Sequence, residues 1–452
     1  MIRINLAIGL LFLAFAPVKA QTDSLPQAPG KNWTLQECID YGVERSFEMA
    51  RQKLANRQDN MNLRDAYLNL LPDIDAGTSL NYSFGRGIDP NTNTYVNQRN
   101  MSNNYSVGAS MGLFSGFTTI NNIRYNRVSK LKGLEDSEKL ANDIAVRIMQ
   151  AFYDVAYAEG LIKIAEEQFD NAKMQLKRME RQHELGIKPK SDLFDIQAQL
   201  AESEYKMISS RNTRETNLII LKQLMNYPAS EELGIDVNSL AGSIPAYSEL
   251  NPNEVFIKAK EDLPQMLAAE HSMRAAKLNL YVKKGQLLPS LSASGSFDTR
   301  YIENAESVFH SQIVDNLGKG FGLSLNIPIF YGLRRQSAVS KAKYDYQTAQ
   351  IQYQEMEQSV YKEVQLALQD LKAASQEFTM ALKKENFSAL SYTANEKKYA
   401  QGLVSIIDLN TSDNNWMQAK HDVLKARLTY AIKKRMIDFY TGTPLQTNIN
   451  IK

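Results

Sequence analysis

The residues of this sequence that most often carry chemistry are few and scattered. The four histidines are His183, His271, His310 and His421, and the single cysteine is Cys38. None of them stands at the short spacings with which His, Cys and carboxylates hold a metal ion. The chain also has no phosphate-binding glycine loop, no Gly-x-Ser-x-Gly elbow and no carboxylate cluster suited to acid–base catalysis. The sequence therefore predicts neither an enzyme nor a metal or cofactor site.

The N-terminus predicts export from the cytoplasm. Residues 1–20 combine a positive charge at Arg3, an apolar run from Leu6 to Phe15 and small Ala20 before Gln21, as in a cleaved secretory signal. Because Gln21 rather than a cysteine follows the predicted cut, neither a lipid anchor nor a disulfide framework is expected. No later window has the eighteen uninterrupted apolar residues of a spanning helix. If the chain enters a membrane, it does so with strands.

The overall charge gives no basis for binding nucleic acid. The chain has 52 basic and 50 acidic side chains, a formal net charge of +2 over 452 residues. These charges are dispersed along the sequence and not gathered into the basic patch that nucleic-acid binding needs.

The two halves of the chain resemble each other at a nearly constant offset. At an offset of 217 residues, Glu37 matches Glu254 and Leu71-Pro72 matches Leu288-Pro289. At an offset of 216 residues, the matches are Phe114-Ser115-Gly116 with Phe330-Tyr331-Gly332, Gly186 with Gly402, and Asp192-Leu193 with Asp408-Leu409. A fixed offset with one residue of slippage predicts a duplicated structural unit.

Each repeat is predicted as a helix, a strand pair, a very long helix, a tight turn and another helix. The first repeat covers 33–232, with strands at about 74–86 and 104–114 and a turn at about 186–190. The second covers 250–443, with strands at about 290–301 and 319–330 and a turn at about 401–405. The remaining segments are the signal 1–20, the linkers 21–32 and 233–249, and the tail 444–452.

The long helices are the most distinctive prediction. No proline occurs between Gly116 and Pro189 or between Pro328 and Pro444, and apolar residues recur at steps of three and four. A helix from about Phe117 to Leu185 would have roughly 70 residues and a length of about 105 Å.

The four predicted strands alternate apolar with small polar residues. Each has about the ten residues of a tilted bilayer-crossing strand. A soluble sheet can show the same alternation, but its polar face is usually rich in Lys and Glu. The candidate lumen residues on the polar face are Ser79, Asn81, Ser106, Ser110, Ser294, Ser296, Ser324 and Asn326. The segments 87–103 and 302–317 are predicted to be loops outside the cell.

Four strands cannot close a barrel. An open sheet edge in lipid leaves backbone groups unpaired at a cost of several kcal/mol each, so the chain is expected to oligomerise. Two copies would give eight strands with a filled interior, whereas three give twelve strands with room for water. The sequence therefore favours a homotrimer.

The export signal, the duplicated halves, the strand pairs after Leu-Pro and the long helices together resemble the TolC-like outer-membrane efflux family. So do the turns Leu185-Gly186-Ile187 and Gln401-Gly402-Leu403 with their following Asp-Leu. The resemblance implies a mixed membrane α/β fold, in which a trimeric 12-stranded β-barrel continues into a 12-helix periplasmic α-barrel of coiled-coil helices. It implies a place in the outer membrane, extending into the periplasm.

The resemblance also implies a docking site and a constriction at the hairpin tips. A periplasmic adaptor coupled to an inner-membrane RND or ABC-type pump would contact Gly186, Ile187, Gly402, Leu403 and Val404. The candidate constriction residues are Asp192, Asp195 and Asp408, which a trimer would arrange as acidic rings able to attract cations.

Simpler structural roles remain open for these residues. The glycines can serve only to make turns, and an Asp after a turn can serve only to cap a helix. Thr411 and Val404 stand where some family members carry an acidic and a basic residue, which implies a gate with fewer charged contacts.

Two functions follow from these patterns. The first is an outer-membrane exit duct of a tripartite efflux or type I secretion system, which passively conducts what a pump and adaptor deliver. The second is a periplasmic coiled-coil adaptor or scaffold, which would be expected to have one helical hairpin flanked by soluble β-domains.

Overall fold

The computed structural model describes residues 32–88, 92–237, 247–305 and 307–447. The predicted signal peptide, the N-terminal linker up to residue 31, part of the inter-repeat linker and the last five residues lie outside this range. The helices are α1 Leu35–Arg45, α2 Phe47–Leu68, α3 Thr118–Glu184, α4 Lys190–Met225, α5 Pro252–Asp262, α6 Pro264–Gly285, α7 Phe309–Asp315, α8 Arg334–Ala400 and α9 Ile406–Tyr440. The strands are β1 Asn32–Trp33, β2 Asp73–Ile88, β3 Tyr95–Phe114, β4 Gly234–Ile235, β5 Ser290–Ile302 and β6 Gly318–Asn326.

The helices of the two halves match in length. Helices α1 and α5 both have 11 residues, α2 and α6 both have 22, and α3 and α8 both have 67. At 1.5 Å per residue each long helix is about 100 Å long. No helix among the described residues has both the length and the apolar character that crossing a bilayer requires.

Strands β2, β3, β5 and β6 form one antiparallel sheet in that order. Strand β2 runs to Ile88 and β3 begins at Tyr95, so the prediction of a loop over 87–103 is wrong for its first two residues and for its last nine, which continue the ladder with β2. Those residues are rich in Asn and lack apolar alternation, and they are held by backbone pairing instead. Strand β6 ends at Asn326 rather than near residue 330, because Pro328 has no N–H to extend the ladder.

The predicted loop over 302–317 contains the short helix α7. Strand β6 begins opposite Asp298, so the last residues of β5 have no strand on that side. The Gln312 side chain takes the place of a strand partner, since it accepts from the Ile302 N–H at 2.8 Å and donates to the Ile302 carbonyl at 3.0 Å. Asn316 likewise donates to the Arg300 carbonyl at 2.8 Å.

Each long helix starts from the same unusual backbone turn. Gly116 and Phe117 have φ of 61° and 66°, and Gly332 and Leu333 have φ of 58° and 60°. In the turn that precedes α3, a Cβ atom on residue 116 would collide with the Gly285 carbonyl at the end of α6. The close approach of α3 to α6 therefore needs glycine at position 116.

The main core joins the two halves. Ile148, Phe152 and Val155 on α3 are fully buried against α1 and α4. Leu445, within the predicted C-terminal tail, is 1% exposed in the same core, and Thr447 donates to the Asp40 carboxylate on α1. The tail thus packs against the first helix as far as the structure describes it.

Candidate functional site

The two helical hairpins end in reversals with the same backbone. Gly186 has φ of 71° and Gly402 has φ of 72°, a conformation that favours glycine. After each helix the residue following glycine donates to a carbonyl five residues back, Ile187 to Gln182 and Leu403 to Lys398, both at 2.9 Å. This is the Schellman pattern of helix C-termini.

Both reversals expose an aliphatic side chain. Ile187 is 65% exposed and Leu403 is 69% exposed. Val404 is only partly exposed. A side chain at either glycine would meet no described atom within 4 Å, so both tips are open to a partner.

The helices that leave the two tips begin differently. Helix α9 starts with a complete capping box, in which Ser405 caps the Asp408 N–H and the Asp408 carboxylate accepts from the Ser405 N–H. The hydrogen bonds from the Ser405 side chain and backbone lower the pKa of Asp408. The N-cap residue of helix α4 is Pro189, which gives no side-chain cap, and Asp192 lies 3.9 Å from the Lys188 ammonium. Asp195, one turn on, is exposed.

Lys188 connects the first hairpin to the second. Its Nζ lies 4.9 Å from the centre of the Tyr399 ring on α8, a cation–π geometry. Burial, and then the nearby Asp192 charge, raise the pKa of Tyr399, whose hydroxyl is buried without a hydrogen-bond partner. Below this contact a cleft of about 280 Å³ separates the hairpins, and Met179, Ile196, Ile406 and Leu409 pack beside it.

One buried acid near the tips was missed by the sequence reasoning. Asp413 on α9 is 1% exposed, and its Oδ1 has no hydrogen-bond partner. Burial raises its pKa to about 6. The available signal was its spacing, because it lies four residues after Leu409 and four before Met417, both buried. An acidic residue whose spacing places it on the buried face of a helix can be recognised from the sequence without a motif.

The sheet separates polar from apolar residues by face. The pairs Ser79 with Asn104, Ser110 with Ser294, and Ser296 with Gly320 continue across all four strands, so all eight candidate lumen residues share one face. Whether that face lines a lumen stays a prediction. The opposite face carries large apolar side chains that are 47–80% exposed, namely Ile74, Leu80, Tyr82, Phe84, Val107, Phe297, Phe321, Leu323 and Leu325.

The sheet is open at both sides in the single chain. Strand β2 pairs only with β3, and β6 pairs only with β5, within the part of the chain that the structure describes. The arrangement has an exposed apolar face and two free edges, the opposite of what a soluble sheet presents to water.

Comparisons with known proteins agree with this geometry. The model of the outer membrane efflux protein family matches residues 43–227 and 257–443. The outer membrane protein TolC of Escherichia coli K12 is 22% identical over 391 residues, which cover 84% of this chain and 76% of TolC. The outer membrane efflux protein BepC of Brucella suis is 21% identical over 365 residues, covering 78% of this chain and 74% of BepC.

Solved structures show the same fold at low identity. The CusC crystal structure superposes with a TM-score of 0.79 at 16% identity, over 93% of this chain and 96% of CusC. The open state of the Neisseria gonorrhoeae MtrE outer membrane channel gives 0.74 at 18% identity, over 90% of this chain and 88% of MtrE.

Proposed function

Because this chain belongs to the outer membrane efflux protein family and lies in the outer membrane with a periplasmic part, we propose that it is the exit duct of a tripartite efflux or type I secretion system. Three copies share one twelve-stranded barrel and one twelve-helix tunnel. The observation that carries this proposal is the four-stranded sheet with two free edges and an exposed apolar face.

The strand order supports closure by identical copies. The four strands alternate in direction, so β6 of one copy lies antiparallel to β2 of the next. Joining the copies pairs the backbone groups that would cost several kcal/mol each if left open in lipid. Twelve strands leave a lumen for water, and the serine and asparagine face lines it.

The hairpin tips form the regulated end of the duct. Asp192, Asp195 and Asp408 contribute three-fold rings of negative charge at the constriction. The Lys188–Tyr399 contact holds the first hairpin against the second in the resting state, which is supported by the 4.9 Å distance from Nζ to the ring centre and by the buried Tyr399 hydroxyl. Release of this contact lets the hairpins separate.

A periplasmic adaptor docks on the tips, and an inner-membrane pump of the RND or ABC type supplies the energy. Gly186, Ile187, Gly402, Leu403 and Val404 offer the adaptor two matching apolar footholds. The chain itself conducts passively, in keeping with the absence of nucleotide-binding and catalytic motifs from its sequence.

The test is membrane fractionation followed by conductance. We expect the protein to stay in the outer membrane after a high-salt wash, to run as a trimer in detergent and to form channels in planar bilayers. An adaptor or scaffold would be released by salt and would conduct nothing. A stable, water-soluble monomer in the absence of detergent would contradict the proposal.

A further inference from the structure

Three of the four helix ends next to the sheet, those of α3, α6 and α8, are basic and contain no acid, whereas the end of α2 has Asp59 and Asp65 beside Arg57 and Arg64. The segments 118–134, 274–285 and 334–344 have four basic residues each, and no Asp or Glu occurs in them. These residues, named the junction belt, are Arg124, Arg127, Lys130, Lys132, Arg274, Lys277, Lys283, Lys284, Arg334, Arg335, Lys341 and Lys343. This concentration stands out in a chain whose 52 basic and 50 acidic residues nearly cancel.

The fold gathers the three segments at one end of the sheet. Helix α3 follows β3, α6 precedes β5 and α8 follows β6, each after a short connection. The ends of α3 and α6 meet at Gly116 and Gly285. Arg335 at the start of α8 donates to the Gln286 carbonyl just after α6, so the three helix ends are neighbours.

Contacts within the protein leave most of the belt's charge unpaired. Only Lys132 and Arg274 have a carboxylate within 4.0 Å in the described residues, and both partners lie one helical turn away. Eight belt residues are exposed, namely Arg124, Arg127, Arg274, Lys277, Lys284, Arg334, Lys341 and Lys343.

Helix chemistry explains only part of the belt. Lys283 and Lys284 suit the negative end of the α6 dipole, but Arg334 and Arg335 occupy the positive end of α8, where basic residues are unfavourable. Helices α1, α2, α4, α5 and α9 all place an acid in the first turn, as the dipole favours. Helix stability therefore does not explain the basic residues at the start of α8, which indicate an interaction with something outside the helix.

We propose that the junction belt binds anionic phospholipid headgroups in the periplasm-facing leaflet of the membrane. This inference rests on the proposed function, which places the apolar sheet face in the bilayer and the belt at headgroup depth. Exposed Ile329 and Phe330, at 90% and 73%, lie between the strands and the belt and contact the acyl chains. A basic residue near an anionic membrane surface strengthens binding about fivefold.

The test compares two variants that lose the same charge. One carries Arg124→Gln, Lys277→Gln, Lys284→Gln and Lys341→Gln in the belt. The control carries Lys163→Gln, Lys173→Gln, Lys362→Gln and Lys383→Gln, four exposed lysines on α3 and α8 far from the sheet. Each full-length protein is reconstituted in phosphatidylcholine vesicles that contain spin-labelled phosphatidylglycerol or spin-labelled phosphatidylcholine, and spin resonance gives the relative association of the two lipids.

We expect the unmodified protein and the control to prefer phosphatidylglycerol, with a preference that weakens at high salt, and the belt variant to lose at least about fivefold of it. No preference in the unmodified protein, or an equal loss in the control, would overturn the inference. So would an unchanged lipid preference with altered ion selectivity in planar bilayers, because the belt would then face the duct. If the belt variant fails to assemble, Lys341→Gln with Lys343→Gln replaces it.

Failure of the proposed function would look different. A membrane barrel immobilises a shell of phosphatidylcholine whatever the belt does. If no labelled lipid of either kind is immobilised, the duct proposal itself is wrong. If phosphatidylcholine is immobilised without a phosphatidylglycerol preference, only the lipid inference is wrong.

Discussion

The two hairpin tips lie 216 residues apart in the sequence and share a backbone but not their side-chain contacts. Gly186 and Gly402 make the same reversal, and each tip exposes one aliphatic residue. The first tip has Lys188 where the second has Val404, and only Lys188 reaches across to the other hairpin. The two repeats thus share one backbone shape at their tips, while only the first tip makes the contact between hairpins.

Substitution of the glycines that form the shared backbone of the tips gives the largest expected effect on export. Gly402→Arg and Gly186→Arg should each abolish export, because a bulky charged residue must adopt positive φ at a site open to the adaptor. The proposed trimer should still assemble, because both glycines lie at the hairpin tips and not in the sheet. Survival of a toxic substrate and native electrophoresis measure the two properties.

Gly402→Asn is the matched control for this pair, because Asn tolerates the left-handed conformation and carries no charge. It should retain most of the export. Normal export by Gly402→Arg would show that the second tip is not a docking site, and a difference between the two Arg variants would show that the tips are not equivalent.

The Lys188–Tyr399 contact, which the second tip lacks, gives the next largest expected effect. Lys188→Gln should raise the resting conductance, because the cation–π contact to Tyr399 is worth about 1 kcal/mol and occurs three times in a trimer. An increase in the open fraction of at least about fivefold, the effect of losing one such contact, is expected in single-channel recordings. Lys190→Gln is the control, since Lys190 lies 5.5 Å from Phe194 on its own helix. Equal resting conductance of Lys188→Gln and the unmodified protein would show that the Lys188–Tyr399 contact does not hold the channel closed.

A third difference between the repeats is the buried residue Asp413 on α9. Asp413 corresponds to the exposed Gln197 at the same offset. Its folded-state pKa of about 6 lies above the ordinary 3.8, so folding takes up a proton between these values. Stability should therefore rise as the pH falls from 7 to 5. The neighbouring charges are Lys420, Glu167, Lys206 and Glu396.

Asp413→Asn should remove this dependence and add about 3 kcal/mol to the stability of the hairpins at pH 7, the free energy that corresponds to the pKa shift from 3.8 to about 6. Thermal unfolding between pH 5 and 7 measures both effects. Asp422 on the same helix provides a contrast, because its hydrogen bond from Lys384 lowers its pKa and so contributes stability that is lost in acid. A variant with the pH profile of the unmodified protein would show that Asp413 does not titrate in this range.

The sequence predicts the features that periodicity controls. The 216-residue offset, the strand alternation and the proline-free stretches led to the duplicated long helices, the strands and the tip glycines. Contacts between distant segments carry no such signal. The Lys188–Tyr399 contact and the burial of Asp413 depend on how the hairpins dock, and the Tyr95–Asn103 part of β3 depends on backbone pairing with β2.

The smallest expected effect distinguishes the acids of the two tips. The Asp408 carboxylate is held in the α9 capping box, whereas Asp192 caps no backbone group. Its partners are the Ser191 hydroxyl, which donates at 3.2 Å, and Lys188, 3.9 Å away. If acidic rings tune conduction, Asp192→Asn with Asp408→Asn should lower cation preference in planar bilayers. Of the single variants, Asp192→Asn should have the larger effect on selectivity. Asp408→Asn should instead weaken the start of α9, by about 1 kcal/mol at most.

Reversal potentials under a salt gradient separate these outcomes, and Ser405→Ala serves as the control because it breaks the capping box without removing a charge. A selectivity change in Ser405→Ala equal to that of Asp408→Asn would assign the second acid to helix capping alone. Unchanged selectivity in the double Asp variant would rule out both rings, and the constriction would then depend on the packing of the hairpins and not on their charge.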